Sequence, residues 1–212
     1  MAAKRTEEIL RRLDEVYGTE YICYLNHETP WQLLIAVILS AQCTDARVNI
    51  VTKTLFKKYP TVKSFADADL SELEQDIKST GFYHNKAKNI IGCAKKLLSD
   101  FGGEVPKTME ELLSLPGTGR KTANLVLGDA FGIPGIVIDT HAKRLSGRIG
   151  LTKEETPEKI EKDLTKFVPK DYWTTLGHHF VDHGRAICDA RKPKCEACVL
   201  SDICNFAKNK RK

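Results

Sequence analysis

The sequence predicts an all-α protein. Three observations carry that expectation. Apolar residues recur at i, i+3, i+4 and i+7 in one stretch after another, most of them opened by a Thr or Asp cap and closed by glycine. No segment alternates apolar and polar residues over a strand's length. There is no fixed-period repeat, and the only biased segment is a basic tail at 208–212. The 212 residues, 42% hydrophobic and 29% charged, suffice for one large core or two small ones.

Thr6 opens the first helix, which runs to about Tyr17 with Ile9, Leu10, Leu13, Val16 and Tyr17 facing inward, and Gly18 stops it. An irregular stretch leads to Thr29-Pro30, a cap followed by proline at the first helical position. The helix over 31–41 is apolar nearly all round and is expected to be buried. Gln42 follows it, a polar residue that is either a solvated linker or a functional contact. Thr44 caps the next helix, 45–59. Helices over 70–79 and 85–101 come after Pro60 and are punctuated by Gly81 and Gly102-Gly103. Phe82-Tyr83 places two aromatics in one turn. Such rings usually pack inward, but they also stack on or wedge between bases.

The most informative stretch is Leu115-Pro116-Gly117-Thr118-Gly119-Arg120-Lys121-Thr122. Thr108 caps the helix before it, with Glu111 three residues on to complete a capping box. Pro116 forbids continuation, and Gly117 and Gly119 allow positive φ, so the chain can reverse at once. A second helix then carries Ala123, Val126, Leu127 and Ala130 on one face, with Lys121 on the other, in the first turn. A glycine hairpin feeding a helix start offers unpaired amides with little side-chain bulk, which suits a phosphate oxygen. Lysine is disfavoured there by the helix dipole. The stretch is not a nucleotide-binding P-loop, because Gly119 is followed by Arg120 and a helix, not a strand, precedes the glycines.

Beyond an extended connector over 131–138, Asp139 reads as the N-cap of a helix over 140–148 closed by Gly150. Thr156-Pro157 repeats the cap-then-proline start, and a last long helix runs from about residue 172 into Cys188.

The net charge of +5 mildly favours a polyanionic partner. The longest apolar run, 33–39, is too short to span a bilayer, and the first residues lack a signal peptide's apolar segment, so no membrane role and an intracellular location are expected. In that compartment the seven cysteines read as thiols or metal ligands rather than disulfides. Cys188, Cys195, Cys198 and Cys204 fall within seventeen residues, as C-x6-C-x2-C-x5-C. Crowded thiolates call for a cation, either zinc or a [4Fe–4S] cluster, and this spacing matches neither common pattern. Cys23, Cys43 and Cys93 are scattered and fit core burial. Arg185, Arg191, Lys192 and Lys194 interleave the cysteines, and with Arg120, Lys143, Arg144, Arg148 and the tail they would make a basic surface.

LPGTGRKTA at 115–123, VIDTH at 137–141 and the cysteine spacing, with LSAQCTD at 39–45 and GFYHNKAKNI at 81–90, resemble the endonuclease III family of DNA glycosylases across nearly the whole chain. The resemblance implies a two-lobed fold. A six-helix lobe over 22–132 contains a helix-hairpin-helix, and a cluster lobe is built from 1–21 plus 133–212, with the active-site groove between them. It implies that Lys121 is the nucleophile and Asp139 the catalytic carboxylate. It also implies that the four cysteines hold a [4Fe–4S] cluster. Gly117, Gly119 and Arg120 would grip the DNA backbone, and Gln42 and Phe82 would fill the gap left by an everted base. The family usually has a smaller aliphatic residue where this chain has Phe82. His141, Arg144, Arg191 and Lys192 are further candidate DNA contacts.

The implied activity is that of a monomeric, bifunctional DNA glycosylase and AP lyase of base excision repair. It would act on double-stranded DNA containing oxidised or ring-damaged pyrimidines or abasic sites. Two other readings have discriminating residues. A mismatch-specific monofunctional glycosylase would lack the lysine, and the adenine-specific kind would carry a glutamate on the helix before Gln42, where 31–42 holds no carboxylate. A non-catalytic DNA-binding or redox-sensing iron–sulfur module would not need a Lys121–Asp139 pair.

Overall fold

The computed structural model describes residues 2–210, and all regular structure in them is helical. The chain forms two compact units, Cys23–Ile133 and a second assembled from Met1–Ile22 and Pro134–Lys212.

The contiguous unit holds α2 (Pro30–Ser40), α3 (Asp45–Lys58), α4 (Val62–Ala66), α5 (Leu70–Ile77), α6 (Tyr83–Phe101), α7 (Met109–Leu113) and α8 (Arg120–Phe131). Its centre is α2, whose residues Leu33 to Leu39 are all buried against α3, α6 and α8. Each Leu, Ile or Val side chain among them contributes roughly 1.5–3 kcal/mol relative to leaving it in water. Thr29 caps α2 from Gln32 N, and the Gln32 side chain returns to the Thr29 amide, a reciprocal box at a helix start already marked by Pro30. The five-residue α4, capped by Thr61, is too short to show a period and was not expected.

The discontinuous unit combines α1 (Ala2–Tyr17) with α9 (Thr140–Ile149), α10 (Pro157–Leu164), α11 (Trp173–Ala186) and α12 (Asn205–Lys210). Its core gathers Ile9 and Leu13 of α1, Leu145 and Ile149 of α9, Ile160 of α10 and Phe180 of α11. The prediction for α1 fails at two points: Thr6 lies buried inside a helix that starts at Ala2, and Val16 is 48% exposed, although Tyr17 beside it packs against the core. The basic tail is a short helix through Lys210, while Arg211 and Lys212 lie outside the described residues.

Candidate active site and metal centre

In the contiguous unit the hairpin forms as a turn between α7 and α8. Thr108 caps α7, but the box is only half formed. Thr108 Oγ1 accepts from Glu111 N and donates to the Glu111 carboxylate (2.6 Å), which therefore does not reach the Thr108 amide. Leu115 is buried, and Thr118 N closes the turn on Leu115 O at 3.1 Å. The two glycines serve different purposes. Gly117 has φ +79°, and a Cβ there would stand 2.9 Å from the Asn89 Cβ of α6, so both conformation and packing demand glycine. Gly119, expected to use positive φ, is instead extended at φ −98°, ψ 177°, and a Cβ on it would meet nothing within 4 Å. Nothing inside the protein requires glycine at 119; the side-chain-free space faces outward. Gly119 is the N-cap of α8 and brings no side-chain cap bond, and the first turn has no acidic residue. The opening amides of α8 are thus presented as an anion site, with Arg120 and Lys121 exposed beside them. On the inner face Ala123, Val126 and Leu127 are buried as expected, and Ala130 is half-buried.

Gln42 and Phe82 share an unusual backbone. They are the only non-glycine residues with positive φ among the described residues, at +54° and +49°. Both are exposed, Phe82 by 62%, so the inward packing usual for such a ring does not occur. Left-handed backbone is unfavourable for a bulky side chain, and such outliers concentrate at functional sites.

In the other unit Asp139 caps α9 as predicted, its Oδ1 accepting from Ala142 N at 2.7 Å while Oδ2 stays outside that bond. The carboxylate is half-buried. Arg144, counted from sequence among the surface cations, is engaged internally. Its Nε donates to Cys188 O at 3.0 Å, and its Nη2 lies 3.0 Å from His141 Nδ1 and donates to Gly184 O at 3.3 Å. Gly184 leaves room for both, since a Cβ there would collide with His141. Arg148 is drawn in likewise, donating to Asp189 O and Ala190 O at 2.7 Å each and lying over the Phe206 ring. Arg191 and Lys192 keep exposed side chains. Their amides donate to Asp189 Oδ1 at 2.8 and 3.0 Å, which holds that carboxyl below the usual range.

Cys188, Cys195, Cys198 and Cys204 line a single cavity together with Arg148, His183, Leu200 and Phe206. All seven cysteines are free thiols, which removes the disulfide reading. Among the described residues no group of three or more His, Cys, Asp or Glu is placed to hold one metal ion. Four cysteines lining one cavity are the donor set that an iron–sulfur cluster needs. Burial, and then the other three thiols, push the Cys198 thiol's pKa up, as expected where thiolates lack a cation. Donors already point at the sulfurs: Leu200 N to Cys198 Sγ at 3.4 Å and Arg148 Nη1 to Cys188 Sγ at 3.4 Å. His183 Nε2 stands 3.3 Å from Cys198 Sγ, and its Nδ1 is 2.9 Å from the Tyr17 hydroxyl. Burial holds His183 neutral, with a pKa of about 4. Sequence reading gave His183 no role, although it lies on the helix that leads into Cys188, one turn before it.

Comparison with known proteins agrees with this geometry. Residues 35–170, which include the hairpin and Asp139, match the HhH-GPD superfamily of base excision DNA repair proteins, and residues 188–204 match the iron–sulfur binding domain of endonuclease III. Endonuclease III of Synechocystis sp. is 53% identical over 98% of this chain and 95% of its own length. The chain belongs to the endonuclease III family. Its fold matches a non-covalent endonuclease III–DNA complex with a TM-score of 0.93 and 43% identity, covering 99% of both chains. It matches a trapped endonuclease III–DNA covalent intermediate with a TM-score of 0.94 at the same identity and coverage. The family's iron–sulfur centre is a [4Fe–4S] cluster, and this chain carries its binding domain intact. No helix among the described residues is long and apolar enough to cross a membrane.

Proposed function

We propose that Lys121 and Asp139 carry out a two-step reaction on duplex DNA containing an oxidised or ring-damaged pyrimidine. The protein is a DNA glycosylase and AP lyase of base excision repair. The observation that supports the residue assignment best is the start of α8. There a cap position without a side chain leaves amides for a phosphate, and Lys121 stands exposed in the same turn.

A base stacked in a duplex shields its sugar carbon, so the nucleotide must first be extruded, at about a few kcal/mol. Gln42 and Phe82 fill the space it leaves. The neutral amine of Lys121 attacks C1′, the C1′–N bond to the base breaks, and the base departs with its electron pair and a proton. The ionised carboxylate of Asp139 stabilises the positive charge developing on the sugar and takes part in moving the amine's proton. The C1′–O4′ bond then opens, O4′ taking up the proton that leaves the amine, and the protonated Schiff base so formed makes the C2′ proton acidic. Loss of that proton expels the 3′ phosphate and nicks the strand, and water then releases Lys121. Asp139 keeps its capping bond throughout, because the two uses need different oxygens.

Cys188, Cys195, Cys198 and Cys204 hold the [4Fe–4S] cluster, whose iron–sulfur bonds tie four points of an otherwise irregular loop together. Arg191 and Lys192, exposed on that loop, are backbone contacts for the same DNA.

Borohydride trapping on a duplex with one oxidised pyrimidine tests the assignment. A covalent protein–DNA band is expected, absent in Lys121→Gln and strongly reduced in Asp139→Asn. Base release without a trapped band would overturn the role of Lys121. Full activity in Asp139→Asn would reduce Asp139 to a helix cap.

A further inference from the structure

Lys86 sits in the first turn of α6 and is only 4% exposed. Its Nζ donates to two main-chain oxygens, Leu39 O at 2.8 Å and Thr80 O at 2.9 Å. Leu39 lies in the last turn of α2, three residues before Gln42. Thr80 lies two residues before Phe82 and is fixed by its own hydroxyl, which donates to Ile77 O at 2.8 Å. One ammonium thus joins the two segments that lead into the only non-glycine left-handed residues among those described.

A buried ammonium is expensive, and a Leu or Met would fill the same space without that penalty. Burial lowers the Lys86 pKa, while Cys43, the residue after Gln42, lies near enough to oppose the shift. Two features favour the cation at this point. Leu39 O is among the last carbonyls of α2, which have no partner further along the helix. It also lies at the helix's negative end, where a cation is favoured. The amide of Cys43, which would otherwise reach back to Leu39, bonds Ser40 O instead at 3.0 Å, as the chain turns into Gln42.

We propose that Lys86 is a positioning residue for base eversion: its ammonium locks the Gln42 and Phe82 segments to each other so that the two side chains enter the duplex as one unit. Lys86 does not itself touch DNA. This inference rests on the reading of Gln42 and Phe82 as the pair that fills the gap.

Four proteins decide it: wild type, Lys86→Met, the double variant Gln42→Ala/Phe82→Ala, and all three changes together. Each is assayed in single turnover for base release from a duplex with one oxidised pyrimidine, and for strand cleavage at an abasic site in single-stranded DNA, where no base has to be everted. A 2-aminopurine opposite the lesion reports by fluorescence whether the gap is filled. Lys86→Met is expected to slow duplex base release by about tenfold or more and to leave single-strand cleavage within about twofold, since misplacement of positioning groups acts on the step they serve. It is expected to reduce the 2-aminopurine change, and the triple variant should be no slower than the double.

Equal loss on both substrates would mean a general structural role and would overturn the proposal. If the double variant is slow on duplex and Lys86→Met is not, the proposal fails while the gap-filling reading stands. If the double variant keeps full duplex activity, the gap-filling reading fails and takes the proposal with it. Where Lys86→Met does not fold, Lys86→Gln, which keeps two N–H donors on a shorter arm, carries the same comparison with the same outcomes.

Discussion

The six-residue hairpin and the seventeen-residue cysteine loop are both largely irregular segments, and they are held in place by opposite means. The hairpin over 114–119 sits between two short-range helix signals and rests on its own unit's apolar core: Leu115 is buried, Gly117 packs on Asn89, and Pro116 packs on Gly92 of the same helix. The loop over 188–204 has almost no core of its own. Several of its carbonyls are taken up by guanidinium groups from distant parts of the chain, while Lys194 O, Cys195 O, Cys198 O and Leu200 O accept from amides within the loop. Arg148 binds Asp189 O and Ala190 O, Arg144 binds Cys188 O, and Arg12 of α1 binds Val199 O at 2.7 Å. Arg5 of the same helix reaches Ile203 O near the loop's end, at 2.9 Å. Buried or half-buried backbone oxygens need donors, and a loop with only one short 3₁₀ turn must import some of them. The hairpin is thus built from local rules, and the cysteine loop is built in large part from long-range polar bonds.

The strongest test of this contrast removes the cluster. Cys198→Ser should prevent its stable assembly. Hydrogen exchange should then show protection lost through 188–204 and α12, with α2 and α8 keeping theirs. Loss of protection in α2 as well would mean that the hairpin unit also depends on the cluster.

Within the hairpin, the two glycines should separate folding from binding. Gly117→Ala meets both a left-handed backbone and the Asn89 side chain, so it should cost about 2–3 kcal/mol in urea unfolding. Gly119→Ala meets neither and should cost under about 1 kcal/mol. It puts a methyl group where the phosphate would approach, so its duplex affinity should fall nonetheless. If Gly119→Ala bound duplex as tightly as wild type, the start of α8 would not be the phosphate site.

A smaller effect is expected in the loop. Arg148→Met keeps the stem over Phe206 and removes the donors to Asp189 O and Ala190 O, for an expected loss of about 1–2 kcal/mol. The visible absorption of the iron–sulfur cluster should bleach sooner under mild denaturant than in wild type. Unchanged bleaching would show that the cluster alone orders the loop.

The same contrast explains what could be read in advance. Caps at Thr29, Thr44, Thr108 and Asp139 were readable because a helix start is written in four or five consecutive residues. The hairpin was readable for that reason, down to Pro116 and Gly117. The left-handed backbone at Gln42 and Phe82 was not, since neither residue type signals positive φ. Nor could Arg144 and Arg148 be recognised as internal, because a guanidinium 40 or more residues from its acceptor looks in sequence like any surface charge.

The subtlest difference between the units lies in their histidines. The two buried ones, His179 and His183, both belong to the discontinuous unit. His183 faces the Cys198 sulfur, so His179 is the cleaner probe. It is 2% exposed, with Nε2 2.8 Å from Gly18 O and Nδ1 3.0 Å from the Tyr172 hydroxyl, and burial lowers its pKa below the ordinary 6.5. Below pH 6.5 the unfolded chain therefore takes up a proton that the folded unit does not. Stability falls as pH drops from 6.5 and levels off once the folded-state pKa is passed. One such proton contributes a slope of at most about 1.4 kcal/mol per pH unit. His179→Asn, which retains a donor for Gly18 O, should flatten that part of the pH profile. Hydrogen exchange at pH 7.5 and 5.5 should place the acid-sensitive opening in α1 and α11 and leave α2 unchanged. An acid-induced loss that began in α2 would trace the pH dependence to carboxylates instead, and a slope unaltered by His179→Asn would trace it to His183 or to carboxylates.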